Sequence, residues 1–319
     1  MNDQYFNNPI LSHPVFLSGM KSSGKSLLYC LMMPMEKFEG SCKDFLINHI
    51  LQLNYFGDIP NSAASIQLKS IFDFKLYNAS IGRETNFRVD DETSAWAAAD
   101  PKKEFLKLFN PRGLNVAEKM YIENRRILID SHNVILHHDF LTKSFDQYTI
   151  VNINRSPASI LHSWIRDEFY SEKTLENKLS QHLCFLYDGK PVPLYLRGNG
   201  EKEFLLGDNI DRCTQVFFKL NEMEKVQRKN IKFKKNIIDI SFEKILVDPK
   251  NVALNLSNKL EDFSVVNLDW IFIREGVPRK WSINEEYEKL EGLKKKLNSS
   301  NFSKLEKIFQ LWENNHEYK

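Results

Sequence analysis

Short apolar runs bounded by turn-forming residues recur along the chain, and each has the length of a strand. Pro14-Val-Phe-Leu-Ser18 is the first. It ends at the turn-forming stretch Gly19-Met-Lys-Ser-Ser-Gly24, after which Leu27-Leu-Tyr-Cys-Leu-Met32 continues as an apolar helix. Arg126-Ile-Leu-Ile-Asp130 predicts a second strand, Tyr148-Thr-Ile-Val-Asn-Ile153 a third and Asn236-Ile-Ile-Asp-Ile-Ser241 a fourth. Helices follow the last two. Ser156 suits an N-cap and Pro157 a first helical turn, opening a helix to about Phe169, and a second helix runs from near Asp248-Pro249 to Leu260. Buried strands alternating with helices predict an α/β fold, a central parallel sheet flanked by helices with ligands at the C-terminal strand ends.

Between these strands the pattern changes. Residues 36–112 hold helical stretches such as Phe45-Leu-Ile-Asn-His-Ile-Leu51 and Pro101-Lys-Lys-Glu-Phe-Leu-Lys-Leu-Phe109, which predict a helical insertion suited to shaping an acceptor pocket. Residues 187–208 read as a Gly/Pro-bounded excursion with a hairpin around Val192-Pro-Leu-Tyr-Leu196. Tyr287, Leu290, Leu293 and Leu297, then Leu305, Ile308, Phe309 and Trp312, recur at helical spacing and predict two amphipathic helices whose apolar faces are core packing. We expect a single domain over residues 1–319.

Composition narrows the classes without choosing among them. The 44 Lys+Arg against 42 Asp+Glu, a net charge of +2, and 42% hydrophobic residues exclude a disordered chain and a strongly basic nucleic-acid binder. Cys30, Cys42, Cys184 and Cys213 form no Cys-x-x-Cys pair, and the adjacent His137 and His138 lack further spaced ligands, so no metal site is expected. The polar leader Met1-Asn-Asp-Gln-Tyr-Phe6 has no signal-peptide pattern, and no run approaches the roughly 18 apolar residues that cross a bilayer. Reduced thiols and a cytoplasmic location follow as expectations.

Chemistry concentrates after the first strand. Gly19-Met-Lys-Ser-Ser-Gly24-Lys25-Ser26 fits G-x-x-x-x-G-K-S between a strand and a helix, the context in which backbone N–H groups and a helix N-terminus cradle phosphate or sulfate oxygens. Ser22 and Ser23 lie inside this loop, and Lys25 and Ser26 supply a charge and a donor. One outcome is an ATP-dependent kinase, in which Asp130 at the end of an apolar strand holds Mg²⁺; the other reading of Asp130 is a carboxylate capping a turn.

The third and fourth strands carry a resemblance. In Ile150-Val-Asn-Ile-Asn-Arg155-Ser-Pro157-Ala-Ser-Ile-Leu-His-Ser163-Trp, a strand ends in Arg, Pro follows two residues on and Ser eight residues on. Ile238-Asp-Ile-Ser-Phe242-Glu243 leads to Asp248-Pro249, and Arg274-Glu-Gly276-Val-Pro-Arg279-Lys280-Trp281 follows late in the chain. In that order these blocks resemble the sulfotransferases that use 3′-phosphoadenosine 5′-phosphosulfate (PAPS) and release 3′,5′-bisphosphoadenosine (PAP). The resemblance spans about residues 14–281. It implies that Arg155 and Ser163 bind the 3′-phosphate, that Phe242, in place of the usual Tyr, lies near the adenine, and that Arg274 and Gly276 close over the phosphates. Asp130-Ser-His132 stands where cytosolic members have Lys-Thr-His, which implies that His132 is the catalytic base. An imidazole suits that task at neutral pH. The chain departs from the pattern at Glu275, which replaces a Lys, and in the phosphate loop. There Ser22 and Lys25 stand where the family has Lys or Arg and Thr, with Lys21 one position early, so either lysine can neutralise the leaving group. The implied acceptor is a hydroxyl or amine on a small molecule or glycan, not a nucleic acid.

Overall fold

The computed structural model describes residues 9–39, 45–89, 91, 93–97, 100–177, 182–231, 234–261 and 268–315. The first residues of the polar leader and Cys42 lie outside the described residues.

Along the chain, β1 (Val15–Ser18) leads to α1 (Lys25–Met32) and the two-residue β2 (Phe38–Glu39). Then come α2 (Phe45–Tyr55), α3 (Asn61–Ser80), α4 (Pro101–Leu106) and α5 (Leu114–Ile122). β3 (Arg126–Asp130), α6 (His138–Ser144), β4 (Thr149–Asn154), α7 (Pro157–Arg166) and α8 (Glu172–Leu175) follow. A hairpin of β5 (Cys184–Tyr187) and β6 (Lys190–Pro193) precedes α9 (Glu201–Leu206) and α10 (Asn209–Asn230). The chain finishes with β7 (Ile237–Ser241), α11 (Phe242–Val247), α12 (Pro249–Lys259), α13 (Asp269–Glu275), α14 (Ile283–Lys294) and α15 (Ser299–Asn315).

Two compact units result. The first lies within Met1–Gly19, Gly24–Ile153 and Ile231–Lys280, the second within Met20–Ser23, Asn154–Asn230 and Trp281–Lys319.

The first unit carries the central parallel sheet, in the order β2-β3-β1-β4-β7. β1 sits in its middle, with Val15 opposite Leu128 of β3 and Thr149 of β4. All four residues of β1 are buried, which is why it reads as an unbroken apolar run. Helices α2 and α3 bring Leu51, Leu68, Phe72 and Leu76 into one core with Phe16, Ile127, Ile129 and Ile150. Phe72 meets Phe16 edge-on at 5.8 Å. The described residues of the expected insertion at 36–112 are therefore mostly helical, and they bury apolar side chains against the sheet. Its stretch 101–109 ends in a 3₁₀ turn over Lys107–Phe109.

The second unit is built on α7, which packs against α10, α14 and α15. Its start matches the sequence: the Ser156 side chain accepts from the Ser159 N–H and Pro157 opens the helix. Trp164 fills its centre, 5.9 Å from Phe217. Leu290, Leu293, Leu305, Phe309 and Trp312 are buried as the helical spacing predicts, Leu297 and Ile308 are half-buried, and Tyr287 is exposed. The hairpin lies earlier than expected. It turns at Asp188 (φ 50°) and Gly189 (φ 76°), an Asp-Gly pair suited to the type I′ geometry that matches strand twist, and Leu194–Leu196 forms a 3₁₀ turn instead. Among the described residues no helix is long and apolar enough to cross a membrane.

Candidate functional site

In the first unit, the turn after β3 is tied to the end of β1. The Ser131 N–H donates to the Leu17 carbonyl (3.1 Å), Asn133 N–H to the Gly19 carbonyl (3.3 Å) and Val134 N–H to Ser18 Oγ (3.0 Å). Asn133 takes φ 52°, a left-handed conformation that asparagine tolerates better than most residues. This ties His132 down beside Lys25, the first residue of α1. Lys25 is only 6% exposed. Its ammonium donates to the Gly19 carbonyl at 3.1 Å and to His132 Nδ1 at 2.7 Å. An ammonium is only a donor, so Nδ1 acts as the acceptor in this contact and the ring's proton belongs on Nε2. Asp130 is half-buried at the end of β3, in register with Leu17 of β1.

Gly24 precedes α1 at φ 97°, and a Cβ built there would stand 2.2 Å from Cδ2 of Phe242. Phe242, at the start of α11, is buried against this glycine. Ser26 is exposed. Arg274 points Nη2 at Cys30 Sγ (2.8 Å) and donates from Nε to Glu275 Oε1 (2.7 Å), so the residue that departs from the sulfotransferase pattern holds the arginine's fork. Gly276 ends α13 at φ 62°, which gives it a helix-terminating role.

In the second unit, the turn Met20–Ser23 closes through Ser23 N–H to the Met20 carbonyl (3.2 Å), with Ser22 at φ 65° and Ser23 buried. Holding a serine in that region costs about 1–2 kcal/mol. Two side chains fix the turn: Arg155 Nη1 donates to the Ser22 carbonyl (2.7 Å), and Trp164 Nε1 donates to the Lys21 carbonyl (3.0 Å). Arg155 and Ser163 are both half-buried, Ser163 standing in the second turn of α7. Lys21 is exposed, with its ammonium 5.9 Å from the centre of the Phe169 ring.

Within the first unit Lys25 contacts Gly19 and His132, and Gly24 lies against Phe242; within the second, Arg155 contacts Ser22. Arg274 turns to Cys30 and Glu275. Among the described residues no group of three or more His, Cys, Asp or Glu side chains could hold a metal. His137 is fully buried, and that burial depresses its pKa to about 3, so it stays neutral.

No family model matches the chain, and no curated protein matches it. Several solved structures do. Sulfotransferase STF1 from Mycobacterium tuberculosis H37Rv is 12% identical, with a TM-score of 0.43 over 94% of this chain and 76% of that one. STF9, a sulfotransferase from Mycobacterium avium, is 11% identical, with a TM-score of 0.41 over 90% of this chain and 77% of that one. The sulfotransferase domain from the Synechococcus PCC 7002 olefin synthase is 9% identical, with a TM-score of 0.41 over 88% of this chain and 81% of that one.

One residue beside the loop escaped the sequence reading. His182 lies 4.4 Å from Phe169, the ring under Lys21. Burial, with the Lys21 charge adding to it against a hydrogen bond the ring donates to the Phe169 backbone carbonyl, lowers its pKa to about 4. It is a neutral imidazole at pH 7, and a lone histidine in an unpatterned segment carried no signal for it.

Proposed function

We propose that the protein is a sulfotransferase that moves a sulfuryl group from PAPS to a hydroxyl or amine on a small-molecule or glycan acceptor, and that it works in the cytoplasm. The observation that carries this reading is the buried Lys25 ammonium on His132 Nδ1. Sulfuryl transfer needs one cation for the leaving oxygen and one base for the acceptor's proton. The acceptor atom bonds to sulfur while the bond from sulfur to the bridging oxygen breaks. His132 takes the acceptor's proton, and Lys25 faces the charge left on the phosphate of PAP. Nδ1 becomes free for the proton once Lys25 turns to the donor, since one lone pair cannot serve both.

The remaining roles follow from residue chemistry. Gly19, Ser22, Ser23, Gly24 and Ser26 line the 5′ side of the donor through the loop and the start of α1. Arg155 and Ser163 take the 3′-phosphate, Phe242 packs near the base, and Arg274 with Gly276 covers the phosphates. Lys21 is the alternative cation. A kinase reading, using ATP and Mg²⁺, is favoured by Asp130 at the end of the strand beside β1.

Thermal shift separates the two. A ligand that binds only the folded chain stabilises it by RT ln(1 + [L]/Kd), about 2.7 kcal/mol at a hundred times Kd. PAP is expected to raise Tm well beyond 5′-AMP, with no need for Mg²⁺. A larger shift with ATP and Mg²⁺ that EDTA abolishes would give the kinase reading the site.

A further inference from the structure

The sequence assigns the C-terminal helices to core packing, yet α14 of the second unit buries a carboxylate. Glu286 is 2% exposed, as is Ser159 in the first turn of α7, and Ser156, the N-cap of that helix, is fully buried. Ser159 Oγ donates to Glu286 Oε2 at 2.7 Å, and the Ser156 hydroxyl donates to the same carboxylate. Lys289, one turn along α14, donates to Glu286 Oε1 (2.7 Å) and to Ser159 Oγ (2.8 Å). Each hydroxyl both donates and accepts: Ser156 accepts the Ser159 N–H while donating to Glu286, and Ser159 accepts from Lys289 while doing the same. Burial pushes the Glu286 carboxyl up, but the bonds from Lys289, Ser156 and Ser159 outweigh it and hold it below the ordinary range.

A buried carboxylate is costly unless several donors hold it, and an apolar residue would pack α14 onto α7 without that cost. The place that the network grips is informative. Ser156 is the residue next to Arg155, whose Nη1 holds the Ser22 carbonyl. Ser163 lies one helical turn beyond Ser159, on the same face of α7. We infer that Glu286 is a positioning residue: it fixes the first turn of α7 so that Arg155 and Ser163 present themselves to the 3′-phosphate of the nucleotide. This rests on the PAPS reading above. It gives α14 a part in nucleotide selection, with Lys289 locking the carboxylate from its open side.

The readout is the ratio of PAP to 5′-AMP affinity, measured by isothermal titration on the full chain and on Glu286→Gln, with thermal melts alongside. A side chain that only holds the helices together would lower Tm and leave the ratio alone. A positioning residue lowers PAP affinity by roughly tenfold, the scale of weakening one charged hydrogen bond, and leaves 5′-AMP affinity within about twofold. Ser159→Ala keeps the Glu286–Lys289 pair and removes one link to α7, so it decides the matter if Glu286→Gln does not fold. Its ratio should fall in the same sense by a smaller factor. An unchanged ratio in the folded variants, whether both affinities hold or both drop together, overturns the positioning role. A wild type that binds PAP and 5′-AMP equally fails at the earlier step and removes the PAPS reading itself.

Discussion

Lys25 and Lys21 sit four residues apart in one glycine-rich loop, and each has a histidine in its neighbourhood, yet their surroundings are opposite. Lys25 is buried, and both named partners of its ammonium, the Gly19 carbonyl and His132 Nδ1, are acceptors at hydrogen-bond distance. Lys21 is exposed over the face of Phe169, and its effect on His182 is a long-range push that adds to burial. A hydrogen-bonded cation near an imidazole fixes where the ring's proton resides. A solvated one only shifts how tightly it is held, and salt screens that effect. The loop thus separates a directional lysine from an electrostatic one.

Replacing the two histidines should break this comparison most visibly. His132→Ala is expected to lower turnover by about 10²–10⁴-fold while PAP affinity holds, the range for a positioned base. His182→Ala should leave turnover within about threefold, because a ring with a pKa far below neutrality takes a proton weakly. Single-turnover assays on both variants check it, and the reverse order would move the base to the second unit.

The lysines come next in size. Lys25→Ala should reduce both PAP affinity and turnover, by roughly 10–100-fold in turnover over transition-state binding, since it loses a charged hydrogen bond worth about 1.5–3 kcal/mol. Lys21→Ala should change either by less than about threefold, in keeping with an exposed charge. Titration and steady-state kinetics distinguish them. A larger loss at Lys21 would mean that the donor's cation stands one position early and that the fit to G-x-x-x-x-G-K-S is partly coincidental.

The smallest effect concerns pH. The folded pKa of His182, about 4, lies below the ordinary imidazole value of 6.5. The unfolded chain therefore binds more protons between those values, so this group's stabilisation is complete above about pH 6.5 and is lost as pH falls toward 4. His137, with a folded pKa of about 3, adds a slope of the same sign. Melting curves from about pH 7 down to about pH 4.5 should show a falling Tm, flattened in part by His182→Gln. Lys21→Met should raise the His182 pKa in an NMR titration, by less than burial lowers it. A drop would invert the assigned role of that charge.

What was legible in the sequence is what depends on neighbours along the chain. β1, β3, β4 and β7 announce themselves as apolar runs, and the caps at Ser156-Pro157 and Asp248-Pro249 open α7 and α12 as their residue types require. β2 could not be read. It is two residues long, and one of them, Glu39, is a carboxylate buried only because Lys107 and Arg125, distant in sequence, both reach it. Burial pushes that carboxyl up, and the two cations outweigh it and hold it down. The Asp188-Gly189 turn is a hairpin signal in its own right, and it lies ahead of the run over residues 192–196. The loop, Arg155 and His132 stand out in the sequence as motifs. The grip of Glu286 on α7 and the packing of Phe242 on Gly24 do not, since both are contacts between remote segments.

That last contact constrains how the chain can drift. Position 24 is barred to other side chains twice over, by a backbone at φ 97° that disfavours any Cβ and by the Phe242 ring lying where that Cβ would go. Position 242 is barred only once, from the glycine side, and a smaller or differently substituted ring there meets no backbone penalty. Substitutions can therefore accumulate at 242 without a compensating change, while no change at 242 releases 24. An exchange of one ring for another at 242 thus leaves the constraint on Gly24 as it was.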